Sequence, residues 1–172
     1  MSLTGDKKKV LLILRHAKST LKYGDIPDHE RPLNKRGKKQ APEMGILLKE
    51  LHLVPDYIIS STAKRTVDTA KAVAEFCGYE GEINHDPLLY QASAEQYAKV
   101  LSVVPDKHNK VLIVGHNPAV EDLIEKLTNM IELMKTCSLA QIDMNVKSWR
   151  DLANERNNYT LVNVWHPTAK DE

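Results

Sequence analysis

The sequence predicts a three-layer α/β fold around a mostly parallel central sheet of about five or six strands. Three observations carry that expectation. Val10–Leu14 is an unbroken apolar run, and Lys110–Gly115 (K-V-L-I-V-G) is nearly one. Runs this short and apolar on both faces are central strands covered by helices on each side. Between them lie stretches with apolar residues at helical spacing, so strand and helix alternate along the chain.

In order, the strand at Val10–Leu14 ends on Arg15 and His16. A polar stretch from Thr20 to Arg36 follows, holding Gly24, Pro27 and Pro32, and reads as a long loop over the strand ends. A helix is expected from Gly37 to about His52, with Ala41, Met44, Leu47, Leu48 and Leu51 on one face and Pro42 in its first turn. Asp56–Ser60 is a second strand. Ser61 and Thr62 form an N-cap pair for a helix over Ala63–Cys77, closed by Gly78. Glu82–Asp86 is a weak strand, Pro87–Ala92 a turn, and Ser93–Val104 a helix capped by Ser93. After the strand at Lys110–Gly115, Asn117 at the N-cap and Pro118 at the first helical position start a helix to about Thr128. Ser138–Asn145 and Thr160–Trp165 complete the strands, with Trp149 in the polar loop between them. Trp149 and Trp165 read as packing residues.

The 172 residues suit one domain spanning 1–172, with 1–9 a flexible leader. Hydrophobic residues make up 42% and charged residues 27%, as in ordinary globular proteins. A net charge of +1 gives no field suited to nucleic acid or an anionic membrane, and no apolar run approaches bilayer length. Cys77 and Cys137 have no paired spacing and read as reduced, buried residues of a cytoplasmic protein. His29, His52, His85, His108 and His166 lack ligand spacing and read as surface residues, and Lys35, Arg36, Lys38 and Lys39 as a solvated helix start. No partner protein is named by the sequence, and a monomer is the expectation.

In sheets of this kind ligands sit beyond the carboxyl ends of the strands. Arg15 and His16 follow one strand, Arg65 lies in the first turn of the helix after another, and His116 follows a third. Two guanidiniums and two imidazoles thus meet at one sheet edge, with Ser61 and Asn117 opening helices there. Arg offers a fork of donors to phosphate, helix N-termini attract anions, and His can attack or move a proton. The set describes a dianion pocket, most simply one for a phosphoryl group.

The motifs R-H-A at 15–17, S-T-A-K-R-T-V-D-T-A at 61–70 and V-G-H-N-P at 114–118 resemble the histidine phosphatase superfamily, the group related to phosphoglycerate mutase. R-H-A-K-S, the downstream E-R-P-L-N-x-x-G and D-P-x-L-Y-x-A-S at 86–93 resemble its SixA-type phosphohistidine phosphatase branch. The similarity extends to T-C-S-L-A at 136–140, Trp149 and Pro167, and so covers nearly the whole chain. It implies a phosphoglycerate mutase-like fold and metal-independent hydrolysis without a cofactor. His16 would be the nucleophile, Arg15 and Arg65 the clamps on the phosphoryl oxygens, and His116 a donor to them. It sets Lys18, Ser19 and Arg31 at the pocket mouth, for binding or for structure; Tyr90 would line the pocket or pack in the core, and Asn117 would add to the binding edge.

One departure carries information. Phosphoester-cleaving members have a Glu in an L-x-E context that protonates the leaving oxygen, and here Gln91 stands there. An amide cannot act as a general acid. A phosphoramidate leaving group, such as imidazole from phosphohistidine, suffers least from that loss. The expected function is therefore a phosphatase acting through a phosphohistidine enzyme, with phosphohistidine in a protein as substrate. Glu82, Asp86 and Glu95 are near enough in sequence to substitute as acid. The alternatives are a phosphatase of a small phosphorylated metabolite and a phosphoryl-binding module with little turnover.

Overall fold

The computed structural model describes residues 8–21, 24–154 and 159–169. Six strands form one sheet: β1 (Lys9–Arg15), β2 (Tyr57–Ser61), β3 (Ile83–Asp86), β4 (Lys110–Gly115), β5 (Leu139–Met144) and β6 (Thr160–Trp165), in the spatial order β3-β2-β4-β1-β5-β6. The first four in that order run parallel; β5 is antiparallel to β1 and β6 to β5. The helices are α1 (Lys35–Glu50), α2 (Lys64–Cys77), α3 (Ala94–Ser102) and α4 (Ala119–Thr128).

Alternation along the central strands explains why Val10–Leu14 and Val111–Val114 carry no polar residue. Leu12 and Leu14 of β1, with Leu112 and Val114 of β4, pack against Ala41, Met44 and Leu48 of α1 and Ala70 and Val73 of α2. Leu11 and Ile13, with Val111 and Ile113, face Tyr97 and Leu101 of α3 and Leu123 and Ile124 of α4. The expected three layers are present. Trp149 is fully buried in the second of these cores, within a short 3-10 helix, Trp149–Ala153.

Several local expectations shift. Lys9 is not part of a leader: it begins β1 and is 1% exposed, its ammonium donating to the carbonyls of Asp106 and His108 and to Asn109 Oδ1. Lys8 pairs with Asp143, and residues 1–7 lie outside the described residues. Helix α1 starts two residues early because Asn34 caps it, accepting from the Gly37 amide, so Pro42 falls inside the helix rather than in its first turn. Ala63, not Ser61 or Thr62, occupies the cap position of α2, and Pro118, not Asn117, that of α4. The expected C-cap Gly78 and N-cap Ser93 are as predicted, and Ser93 also forms a capping box with Gln96.

At Gly37 the chain has no room for a side chain: a Cβ would stand 2.0 Å from the Lys18 carbonyl oxygen. That approach lets the loop after β1 fold against the start of α1. Asn34 N–H donates to the Lys18 carbonyl, and the Lys18 amide to Gln40 Oε1. A bridge between Ser19 and Leu33 then closes the long loop on itself as a strap across the carboxyl end of the sheet.

Candidate active site

The four parallel strands all end at one edge, and the chain emerging from three of them supplies the side chains. His16 leaves β1 with its amide donating to the Gly115 carbonyl and its carbonyl accepting from the Cys137 amide. It is therefore locked between β4 and the segment entering β5. Its ring Nδ1 lies 2.8 Å from the Ala17 carbonyl. A carbonyl only accepts, so Nδ1 carries the proton and Nε2 keeps a free lone pair. Burial, assisted by the nearby charges of Arg65 and Arg15, pulls the His16 pKa down to about 3. The ring is neutral at neutral pH, as attack on phosphorus requires.

His116 follows β4. Its amide donates to the Tyr97 hydroxyl, which in turn donates to the Leu89 carbonyl. Tyr97 fits only because residue 115 is glycine; a Cβ there would stand 2.4 Å from the Tyr97 hydroxyl oxygen. The His116 Nε2 is 2.8 Å from Ser61 Oγ at the end of β2. Ser61 Oγ also accepts from the Ala63 amide; with its own proton directed to Nε2, Nδ1 is the protonated nitrogen, the tautomer that donates to a phosphoryl oxygen. Burial lowers this pKa too, to about 3, with Arg65 adding to the effect. The His16 and His116 rings are 5.3 Å apart between centroids.

Arg65 is 5% exposed, in the first turn of α2. Arg15 donates from Nη1 to the Met134 carbonyl. Arg15 Nε, Arg65 Nε and His116 Nδ1 are buried with no protein partner. These three groups, on the residues around His16, are available to an anionic ligand with several acceptor oxygens. The structure thus brings Arg15, His16, Arg65 and His116 together as the sequence predicts.

The remaining predicted residues divide. Tyr90 lines the pocket: its ring stands edge-on to His116, 5.7 Å between centroids, and its hydroxyl donates to Asp28 Oδ2 at 2.6 Å. Arg31 is at the mouth but engaged, donating to Ser19 Oγ, the Thr20 carbonyl and Asp28 Oδ1. Ser19 is accordingly a buried brace for Arg31 rather than an open binding group. Lys18 is fixed through its backbone, as described above. Asn117 does not cap α4; its amide donates to Glu121 Oε1 and to the Met134 carbonyl, tying down the segment that also holds Arg15. Asp86 is engaged with the Leu88 amide and Glu95 stands 3.9 Å from Lys126. Among the described residues, neither these two nor Glu82 is hydrogen-bonded to the four central side chains. Gln91 is exposed, at a φ of 52°.

Asp28 escapes the sequence reading altogether. It begins a 3-10 turn (Asp28–Glu30) in the strap, and its carboxylate accepts from Tyr90, Arg31 and Arg65 while its carbonyl accepts from Arg65 Nη1. The Tyr90 hydrogen bond first, then Arg31 and Arg65, hold this carboxyl well below the usual range. His29, read as a surface residue, stands at the rim: Nε2 is 2.9 Å from Thr62 Oγ1 and the ring packs edge-on to Tyr90. Glu121 accepts from the Met134 amide as well as from Asn117. The signal that could have pointed to Asp28 is its place three residues before the Arg-Pro of the strap.

Known proteins share this chain's family and fold. Residues 11–99 match the family described as histidine phosphatase superfamily (branch 1). An uncharacterised chloroplastic protein of Arabidopsis thaliana is 31% identical over 150 residues, 82% of this chain and 69% of the relative. A candidate phosphohistidine phosphatase SixA from Nakamurella multipartitia superposes with a TM-score of 0.83 at 24% identity, over 94% of this chain and 98% of the other. Another, from Agrobacterium tumefaciens, does so at 0.79 and 25% identity, over 92% and 98%. With residues 11–99, more than half its length, matching that family, the chain belongs to the histidine phosphatase superfamily (branch 1) and is a phosphatase by family, and it shares its fold with SixA-like structures.

Proposed function

We propose that this protein hydrolyses phosphohistidine in a protein substrate, through a phosphoryl group carried on His16. The observation that carries the reading is the locked tautomer of His16, whose Nδ1–H is held by the Ala17 carbonyl so that Nε2 is free and neutral beside Arg15 and Arg65. In the first step a bond forms between Nε2 and phosphorus as the substrate P–N bond breaks, its electron pair passing to the leaving nitrogen. In the second, water attacks phosphorus, and His16 leaves with the pair of the N–P bond. Arg15 and Arg65 bind the equatorial oxygens, and His116 donates from Nδ1 as charge spreads over them; such stabilisation is usually the largest catalytic contribution. The amide of Gln91 in place of a carboxylic acid favours P–N over P–O substrates, because an alkoxide must leave almost unassisted.

The experiment has two parts. Brief reaction with labelled substrate should leave an acid-labile, base-stable label on the wild type and none on His16→Ala. Turnover of phosphohistidine should then exceed that of phosphoserine and sugar phosphates. Label surviving on His16→Ala would remove the nucleophile, and equal rates on phosphoserine would remove the substrate class.

A further inference from the structure

The mechanism just set out gives no task to the strap carboxylate. We propose that Asp28 selects the leaving group, favouring one that carries positive charge in the bound substrate over one that departs as an alkoxide. The inference rests on the phosphohistidine reading of this site and assigns it a specificity-determining residue.

Position comes first. His16 and Arg65 are 7% and 5% exposed, whereas the Asp28 side chain is 50% exposed. The nucleophile is thus on the floor of the pocket and Asp28 on its rim. In-line displacement sets the leaving group opposite the nucleophile, which here is the open, rim side. The strap carboxylate is therefore among the groups a departing nitrogen or oxygen meets.

Its hydrogen bonding comes next. Oδ2 accepts from the Tyr90 hydroxyl at 2.6 Å and Arg65 Nη2 at 3.2 Å, and Oδ1 from Arg31 Nε at 2.9 Å. An ionised carboxylate has about four acceptor sites, so these three donors leave one on Oδ1. The group is a fixed anion with one lone pair to spare, and it has no proton to give.

The chemistry follows from that. A phosphorylated imidazole can be protonated at its far nitrogen, and in that form the ring is cationic. As His16 Nε2 bonds to phosphorus, the P–N bond breaks, its pair goes to the ring, and a neutral imidazole departs with no proton transferred in the step. A carboxylate accepting the far N–H stabilises the reactive, charged form of the substrate. For a serine phosphate the same carboxylate cannot supply the proton the alkoxide needs, and its charge opposes the charge that develops there. Asp28 and Gln91 then act in the same direction, one by holding a cation and the other by lacking an acid.

The test compares wild type with Asp28→Asn in the intact enzyme, measuring kcat/KM on phosphohistidine, phosphoramidate and p-nitrophenyl phosphate. Loss of the Arg65 contact lowers all three, so the ratio is the readout. The two P–N substrates should fall roughly tenfold or more beyond the fall on the aryl ester, as expected for a charge-assisted hydrogen bond. Asp28→Ser should shift the ratio likewise should the Asn variant fold poorly, while Tyr90→Phe, which keeps the carboxylate, should lower both classes together. A common factor for all three substrates in both Asp28 variants would overturn the inference and leave Asp28 as a brace for Arg65. If wild type cleaves phosphoramidate with this dependence but not phosphohistidine, the substrate reading fails and the role of Asp28 stands.

Discussion

Acid should destabilise this fold through its catalytic pocket before it reaches the carboxylates. The perturbation is a drop from pH 7 to pH 5. In the unfolded chain His16 and His116 titrate near the ordinary value of about 6.5, and at pH 5 each gains about 2 kcal/mol from binding a proton. In the folded protein neither ring takes that proton until about pH 3, because both are buried beside Arg65. For a base whose folded pKa is depressed, the unfolded state binds more protons throughout that interval. Stability is therefore complete above pH 6.5 and falls as the pH drops below it. The two costs arise in the unfolded chain, where the rings are independent, so they add to about 4 kcal/mol at pH 5, a large share of a typical 5–15 kcal/mol. Asp28 and Glu43, whose carboxyls are held low in the fold, lose their contributions only below about pH 4, outside the window. Urea unfolding at pH 7, 6 and 5, in buffers free of phosphate, reads the effect directly. His16→Asn and His116→Asn should each lose about 2 kcal/mol less than wild type over the interval. Equal losses in all three proteins would refute the claim that these imidazoles are held neutral.

Two further substitutions report on the frame of the site. Arg65→Lys keeps charge but loses the planar fork, so kcat/KM should fall by about two orders of magnitude with little change in melting temperature; full activity would remove Arg65 as a clamp. Gly37→Ala sets a methyl group 2.0 Å from the Lys18 carbonyl oxygen, against backbone that cannot move aside cheaply, and should lower the denaturation midpoint by the equivalent of about 3 kcal/mol; an unchanged midpoint would mean the strap is not packed on α1.

What was legible in the sequence follows the range of the interactions involved. Val10–Leu14 and Lys110–Gly115 read as central strands because each is covered on both faces, and burial on both faces leaves Val10–Leu14 and Val111–Val114 without a polar residue. Arg15, His16 and His116 follow from those strands by chain continuity alone, and Arg65 from the first turn of the next helix. Boundaries were harder where two local signals compete. Asn34 and Gly37 both suit a helix start, and the cap hydrogen bond goes to Asn34. Ser61 is a good cap by type, yet its hydroxyl belongs to His116, a partner 55 residues away. Asp28 lies 37 residues from Arg65 and 62 from Tyr90, inside a polar loop where an acidic residue is unremarkable. Only the folding of that loop across the sheet edge makes it part of the site. His29 was hidden for the same reason.

The segment that holds Arg15 depends on one acidic side chain, and that dependence can be measured. Glu121 Oε1, in the first turn of α4, accepts from the Met134 amide at 2.8 Å and from Asn117 Nδ2 at 2.9 Å. The Met134 carbonyl in turn accepts from Arg15 Nη1 at 3.0 Å and from Asn117 Nδ2 at 2.9 Å. One carboxylate thus fixes the segment entering β5, and that segment fixes the guanidinium beside His16. Glu121 touches no reacting atom; its effect passes through Arg15. Glu121→Ala removes both acceptor bonds, so Met134 should drift and Arg15 lose its aim. We expect kcat/KM to fall about tenfold, mainly in kcat, since an arginine out of line weakens the transition state more than the ground state. Glu121→Gln keeps an acceptor oxygen for the same donors and should recover most of that loss. A merely structural Glu121 would lower the melting temperature of both variants and leave the rate of the folded fraction unchanged. Wild-type kcat in folded Glu121→Ala would show that Arg15 is held without it, and the proposed chain from Glu121 through Met134 to Arg15 would have to be abandoned.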